Sequence, residues 1–217
     1  MNVVEIWGLF GLLAYLLGAV PNGFIVARAR GVDIRKVGSG NIGATNVFRT
    51  VGKRWGILTF VADALKGFIP AWWFPILAEK LFGFEAGKEL AVFCAAMAIV
   101  GHNWPVYLKF KGGKGVATSA GALLGIAPLA VGIGILVWAG VFLSTRYVSV
   151  ASIVVSLMLP LIGWFVYARD GLLIRVVLMI LGVVIVLRHH SNIRRLIQGT
   201  EHRFSFGKKT PGGDPKP

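Results

Sequence analysis

Three polar segments interrupt an otherwise apolar chain, and each carries residue types suited to holding an oxyanion. The first is KVGSGNIGATNVFR, residues 36–49. Gly38, Ser39, Gly40 and Gly43 are interspersed with Asn41, Thr45 and Asn46 between the cations Lys36 and Arg49. Glycines let backbone N–H groups approach an anion closely, and successive N–H groups form concave anion nests. Hydroxyl and amide side chains add donors, and the guanidinium fork matches phosphate. Gly38, Gly40 and Gly43 also spell GxGxxG, but no strand precedes the string and no βαβ unit follows, so a dinucleotide site is not expected. The bland reading is a flexible membrane loop, which needs neither two asparagines nor an arginine.

The second segment is GHNWPVYLKFKGGKGVAT, residues 101–118. Gly112, Gly113, Lys114 and Gly115 lead into an apolar helix starting at Val116. An anion there would meet orphan helix N–H groups, a favourable dipole and an ammonium. The Walker A spacing fails, because Gly115 follows Lys114 where Ser or Thr is required. His102 and Asn103 read as interface residues beside Trp104. The third segment is RHHSNIRRLIQGTEHRF, residues 188–204, a basic amphipathic stretch along the membrane interface. His189 and Asn192 are three apart and share a helical face. Histidine can act as a base near neutral pH, while a stop-transfer anchor is the plainer alternative. Asp63 and Lys66 sit one turn apart inside an apolar run, where ionisable groups mark either function or a buried pair. Ser149 and Ser152 open a later run and could face the same site.

The elements that position these segments are membrane helices. Of 217 residues, 56% are hydrophobic and 15% charged, against about 25% charged in soluble domains. Mean hydropathy is +0.74. Candidate spans are 3–27, 56–78, 90–108, 116–128, 131–145, 148–168 and 171–188. The first is too long for a signal-peptide core, carries Glu5, and has no basic residue before Arg28, so it reads as a retained helix broken near Pro21-Asn22-Gly23. Residues 116–145 form 30 consecutive uncharged positions. As one helix they would measure about 45 Å, more than a bilayer needs, so a turn is expected at the Gly/Pro cluster. Two short spans and a re-entrant hairpin satisfy that pattern equally.

The net charge is +14. With the break in 116–145, 18 of the 23 Lys and Arg residues fall on one side of the membrane. By the positive-inside rule that side is cytoplasmic. The expectation is an all-α integral membrane protein: a bundle of seven transmembrane helices, N-terminus outside, C-terminus cytoplasmic. Residues 1–204 form one polytopic domain, and the Pro/Gly/Lys-rich tail 205–217 is expected to be disordered. The basic charge serves topology and anionic lipid rather than nucleic acid. Cys94 is the single cysteine, which excludes an intramolecular disulfide and a cysteine-built metal site. Oxyanion loops on one face of a greasy bundle suit a phosphorylated polar substrate and a lipid.

From helix one to about Phe204 the chain resembles the bacterial acyl-phosphate:glycerol-3-phosphate acyltransferase family. The resemblance is carried by SGNIGATNVFR, VADALKG, GHNWPVYLKFKGGKGVAT, RYVSVAS and the RH…NIRRLIQGTE tail. Ile42 departs from the proline expected in the first motif, and EHRF is a less typical ending. The resemblance implies transfer of a fatty acyl group from acyl phosphate to the sn-1 hydroxyl of glycerol 3-phosphate. The products are 1-acylglycerol 3-phosphate (lysophosphatidic acid) and phosphate, in phospholipid biosynthesis at the bacterial inner membrane. A soluble phosphate acyltransferase would supply the donor, and no cofactor or metal is implied.

Carried onto this sequence, the resemblance implies catalytic roles for Ser39, Arg49, His189 and Asn192. It implies substrate binding by Asn41, Thr45, Asn46, Gly112, Gly113, Lys114, Gly115 and Ser152, and a structural role for Glu201. His189 or a substrate phosphate oxygen would take the proton. The His-x-x-x-x-Asp signature of acyltransferases with soluble donors is absent at all four histidines. A transporter of organic anions would also need basic, broken helices, but its polar groups belong near the midplane. A membrane scaffold would not need three anion-friendly loops.

Overall fold

The computed structural model describes residues 1–205; the rest of the expected disordered tail lies outside the described residues. Among the described residues the chain forms ten α-helices, one 3-10 turn and no strand. The helices are α1 (Val3–Ala19), α2 (Asn22–Ala29), α3 (Ala44–Thr50), α4 (Lys53–Phe82), α5 (Gly87–Asn103), α6 (Val116–Ile126), α7 (Pro128–Thr145), α8 (Val148–Phe165), α9 (Leu172–Arg188) and α10 (His190–Ile197). The 3-10 turn spans Val106–Leu108. Five segments are long and apolar enough to cross a bilayer, or six if α9 and α10, bent by 53°, count as one. The eleven-residue α6 measures only about 16 Å and falls short of a bilayer core.

Local chemistry explains the ends and breaks. Asn2 and Glu5 form a reciprocal capping box that starts α1. The first span breaks at Val20 and Pro21, next to the expected position. The uncharged stretch 116–145 breaks at Ala127, with Pro128 opening α7. Bilayer hydrocarbon offers no water to the backbone groups such breaks expose, so protein must satisfy them. At the first break that is the work of the buried pair Asp63–Lys66 on α4, with a charge separation of 3.0 Å. Lys66 Nζ donates to the Val20 carbonyl at 2.6 Å. Asn22 Nδ2 donates to Asp63 Oδ1 at 3.0 Å. The intramembrane charges therefore stitch a broken helix.

Helix α4 packs chiefly on α6, α1 on α5, and α8 on α9. In the α4–α6 contact, a Cβ on Gly121 would overlap the Ala64 carbonyl, and one on Gly67 the Thr118 carbonyl. These reciprocal glycines bring the two backbones together, as small residues do in membrane bundles. One apolar core joins α6, α7, α8 and α9 around Leu159, Ile162, Tyr167 and Leu178. A second joins α1, α4 and α5 around Phe10, Leu90 and Cys94. A third, smaller core of Ala27, Ile34, Ile42 and Val47 holds loop 30–43 against α3.

Replacing Lys66 by Met leaves Asp63 a buried, uncompensated charge and orphans the Val20 carbonyl. The expected loss of stability is about 3–5 kcal/mol, read as a lowered Tm in detergent. An unchanged Tm would contradict the stitching role.

Candidate active site

A cavity of about 420 Å³ opens where α3, α4, α6, α7 and α8 meet the tail segment 189–204. Its walls differ in character. Its polar lining includes Ser39, Thr45, Arg49, Lys114, Ser152, His189, Asn192, Arg195 and Glu201. Its apolar lining includes Phe48, Ile57, Phe60, Trp138, Phe142 and Phe204. Phe204 lies 5.7 Å from Phe48 and 5.4 Å from Phe142, ring centre to ring centre. Phe142 stacks in turn on Trp138 at 4.8 Å. A polar lining thus adjoins an aromatic wall.

The polar lining is organised by Glu201. Its carboxylate accepts from Ser149 Oγ at 2.8 Å, Asn192 Nδ2 at 2.6 Å and Arg195 Nε at 2.7 Å. Asn192, with its Nδ2 committed to Glu201, points Oδ1 at Lys114 Nζ, which donates to it. Burial pushes the Glu201 carboxyl up, but these three donors and the Arg195 charge outweigh it and hold the group below its ordinary value. Burial draws the Lys114 ammonium down to about 8, opposed by Glu201 and reinforced by Arg195, Arg49 and Arg188. Arg49 is likewise drawn down by burial and by Arg195, with Glu201 opposing. One of its terminal nitrogens donates to the His202 carbonyl at 3.3 Å. Arg49, Lys114 and Arg195 against Glu201 leave a surplus of positive charge, since Asp63, the other carboxylate in the wall, is paired with Lys66; that surplus is the electrostatic requirement for a phosphate.

His189 is buried where α9 turns into α10, and its Nδ1 lies 2.8 Å from the Ile185 carbonyl. A carbonyl can only accept, so that nitrogen carries the proton and Nε2 is the acceptor. The sequence of helix, turn and helix thus sets the tautomer. Asn46 commits its side chain to the loop: Nδ2 donates to the carbonyls of Ile34, Val37 and Asn41, and Oδ1 accepts from Ser39 N. Asn41 Oδ1 accepts from Gly43 N at 2.8 Å. Asn46 therefore shapes the turn that presents Ser39. Ser152 accepts from Trp138 Nε1 at 3.3 Å and donates to the Val148 carbonyl.

The glycine loop divides. Lys114 and Gly115 line the cavity; Gly112 and Gly113 are absent from its wall. Gly113 N donates to the His102 carbonyl at 3.1 Å. The carbonyls of Asn103, Gly112 and Gly113 all accept from Arg188. A Cβ on Gly113 would overlap the His102 ring. These two glycines serve close packing, and Arg188 clamps the loop that carries Lys114.

The comparisons with known proteins agree on one family. Residues 8–199 match the family model described as glycerol-3-phosphate acyltransferase. The chain is 44% identical over 195 residues to the glycerol-3-phosphate acyltransferase of Aquifex aeolicus, covering 89% of this chain and 96% of that one. It is 45% identical to that of Geobacter sulfurreducens over 194 residues, covering 88% and 94%. The chain belongs to the glycerol-3-phosphate acyltransferase family. Its structure is similar to a crystal structure of PlsY, an integral membrane glycerol 3-phosphate acyltransferase, in the glycerol 3-phosphate form. The TM-score is 0.82 at 41% identity, over 92% of this chain and 96% of that one. The lysophosphatidic acid form matches with a TM-score of 0.79 at 40% identity, over 92% and 95%.

Against the residues singled out in sequence, the cavity gathers Ser39, Asn41, Thr45, Asn46, Arg49, Lys114, Gly115, Ser152, His189 and Asn192, and leaves out Gly112 and Gly113. Sequence reasoning did not single out Arg195 or the aromatic wall. Arg195 stands three residues after Asn192, on the same helical face, a spacing that could have flagged it. The aromatics had no such signal, since Phe and Trp abound in every span.

Lys114 gives the site a pH dependence. Its ammonium is present below about pH 8 and lost above it, while a phosphate monoester is already a dianion there. Binding of glycerol 3-phosphate, followed by calorimetry, is expected to weaken as pH rises from about 7 to about 9. Lys114→Arg should move that fall to higher pH.

Proposed function

We propose that this protein transfers a fatty acyl group from acyl phosphate to the sn-1 hydroxyl of glycerol 3-phosphate. The products are 1-acylglycerol 3-phosphate and inorganic phosphate. The observation that carries the reading is the mixed cavity, which sets surplus cations and fixed donors beside an aromatic wall. The relatives named for glycerol 3-phosphate, and the solved structure in a lysophosphatidic acid form, support the acceptor and the product class.

Acyl phosphate is a mixed anhydride and already activated. The acceptor oxygen attacks the acyl carbonyl, the bond from that carbon to the phosphate oxygen breaks, and phosphate leaves. No covalent acyl-enzyme is required. Catalysis then rests on holding the reactants together and stabilising the developing oxyanion and leaving phosphate. Arg49 and Lys114 neutralise phosphate charge, Ser39 donates, and Asn192 orients Lys114. The proton goes to His189 Nε2 or to a dianionic substrate phosphate. His189→Gln separates the two: it keeps polarity but removes the base, so retained turnover assigns the proton to phosphate.

The proposed setting is the bacterial inner membrane. Residues 1–204 would act as one domain, with the N-terminus outside and the cavity on the cytoplasmic side, where 18 of the 23 Lys and Arg residues gather. Seven passes result if α1 with α2 count as one and α6 is a short pass. A soluble phosphate acyltransferase would supply the donor, which is chemically labile in water.

Purified protein supplied with fresh acyl phosphate and glycerol 3-phosphate should release phosphate and form lysophosphatidate; no product would defeat the proposal. Lys114→Ala should chiefly raise the KM for glycerol 3-phosphate. Arg49→Ala should lower kcat by about 100-fold or more, the scale of losing one group that stabilises transition-state charge. Wild-type kinetics in both variants would place the chemistry elsewhere.

A further inference from the structure

Acyl transfer from acyl phosphate brings two phosphate groups into one cavity. The acceptor's stays with the lipid product, and the donor's leaves. Each carries a charge of about −1.5 to −2 near neutral pH, so each needs cations of its own. Beside Lys114 and Arg49, the cavity is lined by Arg195 on α10. The Arg195 charge helps to draw both Lys114 and Arg49 down, so the three cations stand within electrostatic reach of one another. Arg195 Nε donates to Glu201 Oε2 at 2.7 Å. Ser149 and Asn192 take Oε1, which leaves Oε2 to Arg195. Both Arg195 Nη groups hold no hydrogen bond among the described residues. The carboxylate therefore fixes the guanidinium along one edge and leaves a planar fork to offer to an anion. The fork is within reach of water: the Arg195 side chain is 26% exposed, against 4% for Glu201.

Building on the acyltransferase reading, we propose that Arg195 binds the phosphate of the acyl donor, while Lys114 serves the phosphate of glycerol 3-phosphate. The fates of the two phosphates assign them. The acceptor's phosphate ends on lysophosphatidate, which returns to the lipid, and it suits the more deeply buried ammonium. The donor's phosphate departs as a free ion into water, and it suits the cation that water reaches. As the acceptor oxygen attacks the acyl carbon, the bond from that carbon to the phosphate oxygen breaks, and the oxygen keeps the electron pair. The acceptor's proton goes to His189 Nε2 or to a phosphate oxygen. A guanidinium forked on the other phosphate oxygens disperses the charge that grows on the leaving group. Asn192 and Arg195 stand one turn apart on α10, both bonded to Glu201, with Asn192 Oδ1 turned to Lys114. One carboxylate thus sets the spacing between the two phosphate subsites, and with it the approach of donor and acceptor.

The test is Arg195→Lys. The ammonium keeps the charge and can still pair with Glu201, but it lacks the fork that would reach a phosphate at the same time. With purified protein and both substrates varied, the KM for acyl phosphate is expected to rise about tenfold or more, the scale of losing charge-assisted hydrogen bonds. The KM for glycerol 3-phosphate should stay at its wild-type value. Inorganic phosphate should inhibit the wild type in competition with acyl phosphate, and the variant should lose that inhibition in the same proportion. If Arg195 only anchors Glu201, Arg195→Lys keeps the wild-type KM for both substrates, and the proposal falls. A rise in the KM for glycerol 3-phosphate alone, or an equal rise in both, overturns it as well. So does phosphate inhibition of the wild type that acyl phosphate cannot relieve, a result that needs no variant to fold. Absence of any acyl transfer by the wild type would instead sink the acyltransferase reading, and the donor subsite with it.

Discussion

Glu201 accepts from Ser149 on α8, Asn192 on α10 and Arg195 one turn further on. Those three bonds hold the tail across the mouth of the bundle and aim Asn192 at Lys114. They also hold one negative charge among several cations, all partly removed from water. The carboxylate is sufficient to keep the cations assembled and too little to neutralise them. The unbalanced charge suits an incoming phosphate, whose own charges replace the missing counter-ions. Without that carboxylate, Lys114, Arg49 and Arg195 would repel one another, and the tail would lose its tie to Ser149.

A second constraint comes from the lipid. Every helix break exposes backbone groups that hydrocarbon cannot satisfy. The chain meets the demand with side chains brought from elsewhere: Lys66 for Val20, Arg188 for the carbonyls of Asn103, Gly112 and Gly113. Each repair is also a tether. Lys66 ties α1 to the helix that lines the cavity, and Arg188 ties the end of α9 to the loop that carries Lys114. The breaks are therefore where the site is assembled.

Much of this was legible in the residues. Apolar runs marked nearly every helix, and Pro21 and the Gly/Pro cluster marked the breaks at Val20–Pro21 and Ala127. The cavity draws polar residues from each of the three segments, because glycines, amides and cations have no purpose in a lipid-facing run. Other features were hidden. Gly112 and Gly113 read as an anion nest, yet they pack on His102 and Asn103, because composition does not say which side of a glycine is occupied. Asn46 read as a ligand for substrate, yet its side chain is spent on three carbonyls of its own loop.

The sequence alone determined that the chain enters a membrane, that it breaks where it does, and which side chains are chemically able to meet phosphate. Those are properties of hydropathy, backbone stereochemistry and charge, and each is read within a few neighbouring residues. Only the tertiary structure decided that Glu201 gathers Ser149 and Asn192 from 52 and 9 residues away, and that Phe204 stands between Phe48 and Phe142. Such pairings depend on how helices pack, and packing is settled by close-fitting glycines and buried partners far apart in the chain.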